Sequence, residues 1–406
     1  MILRRVHTAL LTCALCMSYA RSAPAQVAPG RIAFEPYSLR TYDGQLHDIE
    51  LGKLTVPESR AKPAGPTVTV AFLRLKSTSP NLGSPIVFLM GGASSLLVEP
   101  TGGITLRDKQ SATAALLKSG MPIRETNCVR KHISGIKAGG LLRAAYPARV
   151  LTLAISDVIG DDPTVIGSAP SFHDFTTFRD AWTILEKHSL TNKIPSTVRK
   201  HLLRGARGEI PETLKPGSVL SSRTPFVVIA NNKDALAAAE EKAESLGFAV
   251  KVLTAKLSGD AQSKARGVCR KLKSTLRDKK SRRRPLCFLL GGETTVSVKG
   301  KGLGGRNQEF ALASALELSE CRGISLLSAA SDGSDGPTDA AGAFVDGETF
   351  ARARELGIDP YRALRDNDSY HFFEPLGDLF SPGPTGTNVL DFSIALVYRD
   401  DARGGS

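Results

Sequence analysis

The distribution of apolar and polar positions divides the chain into a β-rich opening and a longer part in which helix and strand alternate. From Arg31 to Leu54 short alternating stretches flank a turn at Tyr42-Asp43-Gly44. Thr67 to Leu75 alternates again, and Pro85 to Met90 is a continuous apolar run suited to a buried strand. Beyond Gly91-Gly92 the spacing becomes helical. Thr105 to Ser119 opens with a Thr105 and Asp108 capping pattern, and Arg124 to Ala145 predicts a second helix, loosened near its end by Gly139-Gly140. Arg149 to Ile155 predicts a strand that delivers Ser156 and Asp157 to its carboxyl end, and helices are expected at Thr176 to Lys187 and Ser196 to Gly205. Strands are then predicted at Phe226 to Ala230, Ala249 to Thr254, Leu286 to Leu290, Thr294 to Lys299, Ile324 to Ala329 and Phe392 to Tyr398. Helices at Asp234 to Leu246, Asp260 to Leu276 and Asn307 to Leu318 separate them. This alternation predicts an α/β fold: two layered α/β domains with mainly parallel sheets, preceded by a β-rich N-terminal segment. In such sheets the chemistry collects at the carboxyl ends of the strands.

A chain of 406 residues is long enough for two or three domains, and 41% hydrophobic with 23% charged residues is a globular composition. Residues 1–25 carry Arg4 and Arg5, an apolar stretch and an Ala23-Pro24-Ala25 site, the pattern of a cleaved leader. A periplasmic or secreted location follows if the leader is used, a cytoplasmic one if it is not. No later stretch approaches the ~20 apolar residues of a membrane span, so no membrane anchor is expected in the mature chain. The segments beyond the leader are expected to be 26–92, 93–222, 223–284 and 285–400. Outside the leader Cys128, Cys269, Cys287 and Cys321 are scattered singly, which points to free thiols and not to a metal site. The formal net charge is +13, part of it in the run Arg277 to Arg284. That run lacks interleaved aromatic residues, so it reads as a solvated turn and not a nucleic-acid site. A basic protein suits a small anionic substrate.

Four clusters at strand ends could carry chemistry. Gly91, Gly92, Ser94 and Ser95 form a small-residue turn whose N–H groups could hold an anion; the bland alternative is a tight turn. Ser156 to Pro163 supplies Asp157, Asp161 and Asp162 after a buried strand, a place where carboxylates hold Mg²⁺ or cap the next helix. Gly291 to Thr295 is followed by a glycine loop with Lys299, Lys301, Gly304, Gly305, Arg306 and Asn307 running into a helix. Backbone N–H groups, a helix dipole and three cations would make it a polyphosphate cradle. Gly300, Gly302 and Gly305 also satisfy a dinucleotide fingerprint, and a glycine-rich hairpin without ligand is the structural alternative. Asp332, Asp335 and Asp339 lie in a Gly-Pro loop after a strand, with Thr385 to Asn388 expected to close over it. There is no P-loop signature and no nucleophile elbow. His132 and His173 lie near these loops, but a lone His is more often a core or surface residue than a catalyst.

From about Ala93 onward the chain closely resembles the D-glycerate 2-kinase family, whose C-terminal part is called the MOFRL domain. The resemblance rests on Leu106 to Gln110, Asn127 to His132, Ser156 to Pro163, Gly291 to Thr295, Gly304 to Glu309, Ser331 to Ala340, Asp366 to Tyr370 and Gly383 to Asn388. It implies phosphorylation of D-glycerate at the 2-hydroxyl by ATP with Mg²⁺, in a cleft between two α/β domains. It further implies Asp157 and Asp161 at the metal or the reacting hydroxyl, and Lys299, Lys301 and Arg306 on phosphates, with Arg306 on the transferring group. Gly91, Gly92, Ser94 and Ser95 would hold an anion, and Gly304, Gly305, Asn307, Asp332, Asp335 and Asn388 would complete the site. The family's usual opening, with a glycine-flanked lysine, is replaced here. Residues 32–92 instead resemble the leading strands of secreted α/β-hydrolases of the proline-aminopeptidase type, in Leu54 to Arg60, Leu73 to Pro80 and Ile86 to Gly92. A fused gene is the expectation, and loss of a cation from a phosphoryl-transfer site predicts an impaired enzyme. Two rival functions are an inactive exported binding protein and a nicotinamide-dependent hydroxypyruvate reductase.

Overall fold

The computed structural model describes residues 32–40, 46–57, 67–74, 86–90, 97–147, 150–222, 224–277 and 284–398. The leader, the Tyr42 to Gly44 turn, Gly91, Gly92, Ser94, Ser95 and most of the basic run lie outside them. No helix among the described residues is long and apolar enough to cross a membrane. The described residues form two compact units, one of residues 32–155 and 161–229, the other of 156–160 and 230–398.

The first unit opens with β1 (Ile32–Arg40), β2 (Leu46–Pro57) and β3 (Thr67–Arg74), an antiparallel sheet in sequential order, as the alternating stretches predict. β4 (Ile86–Met90) begins a second sheet. Next comes α1 (Leu106–Lys118), started by the expected capping box: Asp108 N donates to Thr105 Oγ1 and Thr105 N to Asp108 Oδ2, both at 3.1 Å. The single helix expected from Arg124 to Ala145 is broken. α2 (Ile123–His132) stops, and only α3 (Gly140–Ala145) resumes. Between them Ala138 and Gly139 adopt left-handed φ values of 52° and 78°, and a Cβ on Gly140 would meet the Gly135 carbonyl oxygen at 2.1 Å. The first helix stops before these glycines, at Ile133 (φ −111°, ψ 23°), and left-handed Gly139 is the N-cap from which the second restarts.

β5 (Val150–Ile155) pairs in parallel with β4. α4 (Phe178–Lys187) carries its own Thr177 and Asp180 capping box, and α5 (Ser196–Ala206) packs Gly205 directly on the Phe178 ring. A short α6 (Val219–Ser222) precedes β6 (Phe226–Ala230), which completes the order β4-β5-β6. Ala112 and Leu116 of α1, Cys128 and Val129 of α2, Phe178 and Leu185 of α4 and Val198 and Leu202 of α5 form the core of this unit.

In the second unit α7 (Asn232–Ser245) is capped by Asn231 with Asp234. β7 (Ala249–Asp260), α8 (Ala261–Arg277), β8 (Leu286–Thr295), α9 (Arg306–Leu318) and β9 (Ile324–Ala330) follow. Residues 230–277 thus supply a strand and two helices to the same unit as the C-terminal domain. The two strands expected at Leu286 to Leu290 and Thr294 to Lys299 are one, because β8 runs unbroken through Gly291-Gly292 alongside β7. A Cβ on Gly292 would lie 2.2 Å from the Leu257 carbonyl oxygen. The pair permits that close approach and does not make a turn.

The sequence pattern did not reveal β10 (Gly342–Asp346), α10 (Thr349–Glu355), α11 (Pro360–Arg365), α12 (Ser369–Phe373) or β11 (Leu379–Phe380), all short. β12 (Asp391–Val397) closes the sheet in the order β11-β10-β9-β12-β8-β7. The α/β class holds, but the expected mainly parallel arrangement is corrected here: β7 and β8 pair in parallel and every other pairing in this sheet is antiparallel. The cause is β12. It inserts between β8 and β9 and runs opposite to both. The crossover through α9 therefore does join two co-directional strands, with the C-terminal strand wedged between them.

Candidate active site

Strand register builds the site at the carboxyl ends of β8 and β9. Asp391 pairs with Gly292 on one side and Ala330 on the other, so Glu293, Asp391 and the Ser331-Asp332 loop gather at one end of the sheet. Residues 156–160 belong to this unit, and Ser156 N donates to Ala230 O at 2.8 Å. Asp161 falls in the other unit.

At that end the first residue of α9 is a hub. Arg306 Nε donates to Asp391 Oδ2 at 2.6 Å and Nη2 to Asp391 Oδ1 at 2.9 Å, a bidentate pair, while Nη1 lies 3.0 Å from Glu293 Oε1. The two hydrogen bonds engage two of the five guanidinium N–H donors, and Nη1 is in ion-pair contact with Glu293, on a side chain 32% exposed. The one cation is outnumbered. Burial raises the Glu293 carboxyl above its ordinary range, Arg306 opposes this, and the charges of Asp391, Asp157 and Asp332 push it up further. Asp391 is raised chiefly by burial, again against Arg306. Asp335, 1% exposed, is pushed up to about 6 by burial, although Gln308 and Asn307 N–H groups hold it at 2.8 and 3.1 Å.

Those last bonds correct the expected cradle. The N-terminal amides of α9 that would receive phosphate are capped by the protein's own Asp335. Asn307 is buried, with its side chain between Asp335 and Ser328. The glycine loop is similarly filled. Lys299 and Gly300 N–H groups donate to Asn367 Oδ1, Gly302 N–H to Asp366 O and Leu303 N–H to Asp368 Oδ1. A Cβ on Gly300, Gly302, Gly304 or Gly305 would come within 2.5 Å of Asp366, Asp368, Ser369 or Asp335 respectively. These glycines let the loop 299–305 lie against 366–369 and so deliver Arg306. The dinucleotide fingerprint has the same packing cause, and ten residues, 296–305, separate β8 from α9 where a strand-turn-helix would be tight. Lys299 and Lys301 remain exposed beside this loop.

The fourth cluster closes as expected. Thr385 N donates to Asp332 O at 3.2 Å, Thr385 Oγ1 to Ser331 O at 2.6 Å, and Val389 N to Ser331 Oγ at 2.8 Å. Asn388 turns its carboxamide oxygen onto Leu390 N. Among the described residues no three His, Cys, Asp or Glu side chains converge as a metal cage. His132 is a core residue: burial opposes its charge, but the bond to Cys128 O at 2.8 Å and the Glu212 carboxylate 3.6 Å away raise it to about 9. His173 lies against Phe172 and Phe175. Sequence reasoning missed Asp391. Its only signal is a carboxylate at the first position of an apolar strand, which a pattern reader takes for a strand boundary.

The fold and this acidic, arginine-centred edge define an α/β protein with its chemistry at strand ends. Comparison with known proteins gives the family. A domain of unknown function, DUF4147, matches residues 55–203, starting within the segment set apart as hydrolase-like, and the MOFRL family matches residues 286–391. The chain is 39% identical to D-glycerate 2-kinase of Thermotoga maritima, over 78% of this chain and 73% of the relative. It is 41% identical to glycerate 2-kinase of Pyrococcus horikoshii, over 78% and 72%. The crystal structure of glycerate kinase from Thermotoga maritima superposes with a TM-score of 0.68 at 39% identity, covering 78% of this chain and 74% of that one. The chain belongs to the glycerate 2-kinase family.

Proposed function

We propose that the protein transfers the γ-phosphoryl group of ATP to the 2-hydroxyl of D-glycerate. The observation that carries this is the identity of about 40% to glycerate 2-kinases across more than three quarters of the chain. The hydroxyl oxygen forms a bond to the γ-phosphorus, the bond to the bridging oxygen breaks, ADP leaves, and the hydroxyl proton passes to a carboxylate or to water. Arg306 suits the transferring group. Asp391 and Glu293 fix its plane, and its three remaining N–H donors, next to the start of α9, can meet equatorial phosphate oxygens.

Burial raises Glu293 and Asp335, neighbouring carboxylates add to the shift, and this acidic edge fits a divalent cation. Mg²⁺ is held in such sites by one or two carboxylates with substrate phosphates, not by a protein cage. Asp157 and Asp332 are the candidates, with Asp161 the further residue proposed from the sequence; the ion would neutralise phosphate charge. Lys299 and Lys301, exposed beside the loop, are left to attract the triphosphate electrostatically. About a quarter of each relative's length lies outside the match, and with the family's usual opening and its lysine replaced we expect turnover to be slow.

The test is ADP release by the purified chain with D-glycerate, ATP and Mg²⁺, beside Arg306→Ala. Turnover abolished in the variant and a 2-phosphorylated product by ³¹P NMR support the reading. A folded chain with no ADP release overturns it.

A further inference from the structure

A carboxylate that the kinase reading leaves unused lies one helical turn beyond Arg306. Glu309 stands on α9, a helix buried along most of its length, and is itself 2% exposed. Among the described residues it meets no cation. Gln262 Nε2, from the first turn of α8, donates to its Oε1 at 3.0 Å, and Asn367 Nδ2 donates to its Oε2 at 2.9 Å. Both partners are neutral carboxamides. Burying a carboxylate without a cation costs free energy that an aliphatic side chain would not, so packing alone does not account for Glu309.

Asn367 shows what the carboxylate holds. It sits at a left-handed φ of 54°, a conformation that Asn adopts more readily than most residues. From there its side chain works in two directions. Oδ1 accepts from Lys299 N at 2.7 Å and Gly300 N at 2.9 Å, while Nδ2 donates to Glu309 and, at 3.4 Å, to Ser297 O. One carboxamide thus joins the start of the glycine loop to the turn of α9 that follows Arg306. The end of the loop is tied to the same residue, because Glu309 N donates to Gly305 O at 2.9 Å. Both ends of the loop that carries Lys299 and Lys301 therefore converge on Glu309, and Gln262 fixes Glu309 from α8. A carboxylate suits this hub because it accepts from both carboxamides at once, and by taking the Nδ2 donor it leaves Asn367 Oδ1 to the loop amides.

We propose that Asn367 and Glu309 form a clamp that positions the cations of the kinase site: it holds Lys299, Lys301 and Arg306 in one register, so that they meet a triphosphate together. The clamp rests on the kinase reading and deepens it, for it makes two residues that touch no reacting atom determinants of MgATP affinity and of transfer. They are positioning residues, and they act by keeping the loop and the start of α9 from reorganising when the nucleotide arrives.

The experiment measures kcat, the KM values for D-glycerate and MgATP, and MgATP affinity by calorimetric titration, in the full chain and in Asn367→Asp, Glu309→Gln and the double variant. Asn367→Asp keeps an oxygen for the loop amides but sets a second carboxylate against Glu309 Oε2, where Nδ2 stands at 2.9 Å. Adding Glu309→Gln puts an amide donor back between the two side chains. Asn367→Gly, at ease at positive φ and without a carboxamide, serves if Asn367→Asp does not fold; it should weaken MgATP binding as much, with no recovery on adding Glu309→Gln, and wild-type affinity in it overturns the clamp. In Asn367→Asp the expected result is MgATP binding ~10-fold weaker, kcat lower by about 10- to 100-fold and the KM for D-glycerate within about twofold of the wild type. The double variant should recover most of both losses. A role in folding alone lowers kcat through the folded fraction and leaves both KM values and the MgATP affinity where they were. Wild-type behaviour in Asn367→Asp, a double variant no better than Asn367→Asp, or a loss of kcat with unchanged MgATP affinity overturns the clamp; ADP release by the wild type beside any of these leaves the kinase reading standing. No ADP release from a wild type whose MgATP affinity falls in Asn367→Asp and returns in the double variant does the reverse. A wild type that neither binds MgATP nor releases ADP overturns both.

Discussion

Asp335 offers a quantitative test of how the edge beside Arg306 is built. Its carboxylate caps α9 from within the core, yet burial and the neighbouring Asp391 lift its pKa from 3.8 to about 6. The gap of about two pK units corresponds to about 3 kcal/mol by which the fold disfavours the ionised form. Because the folded-state value is raised, the stability linked to this group is fully present below about pH 4 and is lost as the pH climbs through about 6. Asp335→Asn keeps one oxygen for the amides of Asn307 and Gln308 and carries no charge, so it imitates the protonated acid. Near pH 4.5 the variant should match the wild type to within about 1 kcal/mol, the size of one altered hydrogen bond. At pH 7.5 it should be more stable by about 1 to 3 kcal/mol. The single tryptophan, Trp182, lies on α4 in the other unit and would report the wrong transition. Urea unfolding is therefore followed by hydrogen exchange of the α9 amides. A difference that does not change between the two pH values, or a variant less stable at pH 7.5 than at pH 4.5 relative to the wild type, refutes the argument.

Three further predictions follow from the same geometry. Arg306→Lys replaces a planar fork by a point charge, so ADP release should fall by about 100-fold or more; a loss under threefold in steady-state assays would remove Arg306 from the transferring group. Asp391→Asn leaves Arg306 held by Glu293 alone. It should lower kcat about 10-fold and stability by about 1–3 kcal/mol, measured by turnover and by urea midpoint. Gly302→Ala places a Cβ 2.4 Å from that of Asp368 and should cost about 2 kcal/mol or more, whereas Gly267→Ala, inside α8 with nothing within 4 Å, should stabilise by about 0.5–1 kcal/mol. Thermal unfolding of the two variants side by side separates them.

Long, strongly patterned elements were legible in the sequence because one physical signal dominated each. Thr105 and Asp108 mark the start of α1 by a local hydrogen-bond exchange that needs nothing from the rest of the fold, and the short, mainly apolar runs of β8, β9 and β12 read as buried strands. Sheet order was not legible. The alternation of helix and strand gave the direction of β8 and β9 correctly, but nothing local to Asp391–Val397 says that it enters between them. The glycine loop shows the same limit at the site. From sequence, Gly300 to Gly305 with three cations has the composition of a phosphate cradle. In the fold its amides face Asp366, Asn367 and Asp368, a segment more than sixty residues away in sequence. A pattern reader weighs the free N–H groups of a loop and cannot see the distant acceptor that uses them.

That distant acceptor changes which residues would carry recognition of a phosphate in the proposed reaction. A cradle works by free amides and a helix dipole. Here Asp335 neutralises the dipole end of α9, and residues 366–368 hold much of the loop, so the site cannot rely on the backbone for positive charge. What it has in return is rigidity: the close approach of Gly302 and Gly305 to their neighbours fixes the start of α9, and Asp391 and Glu293 then fix the guanidinium that α9 presents. A cation held in this way needs no reorganisation when a transferring group arrives, which is the condition for electrostatic stabilisation of a phosphoryl-transfer transition state. The carboxylates that hold Arg306 also outnumber it, and burial together with their mutual repulsion raises them against its charge. A divalent ion brought in with the nucleotide would relieve that repulsion, so the edge should bind MgATP and discriminate against free ATP.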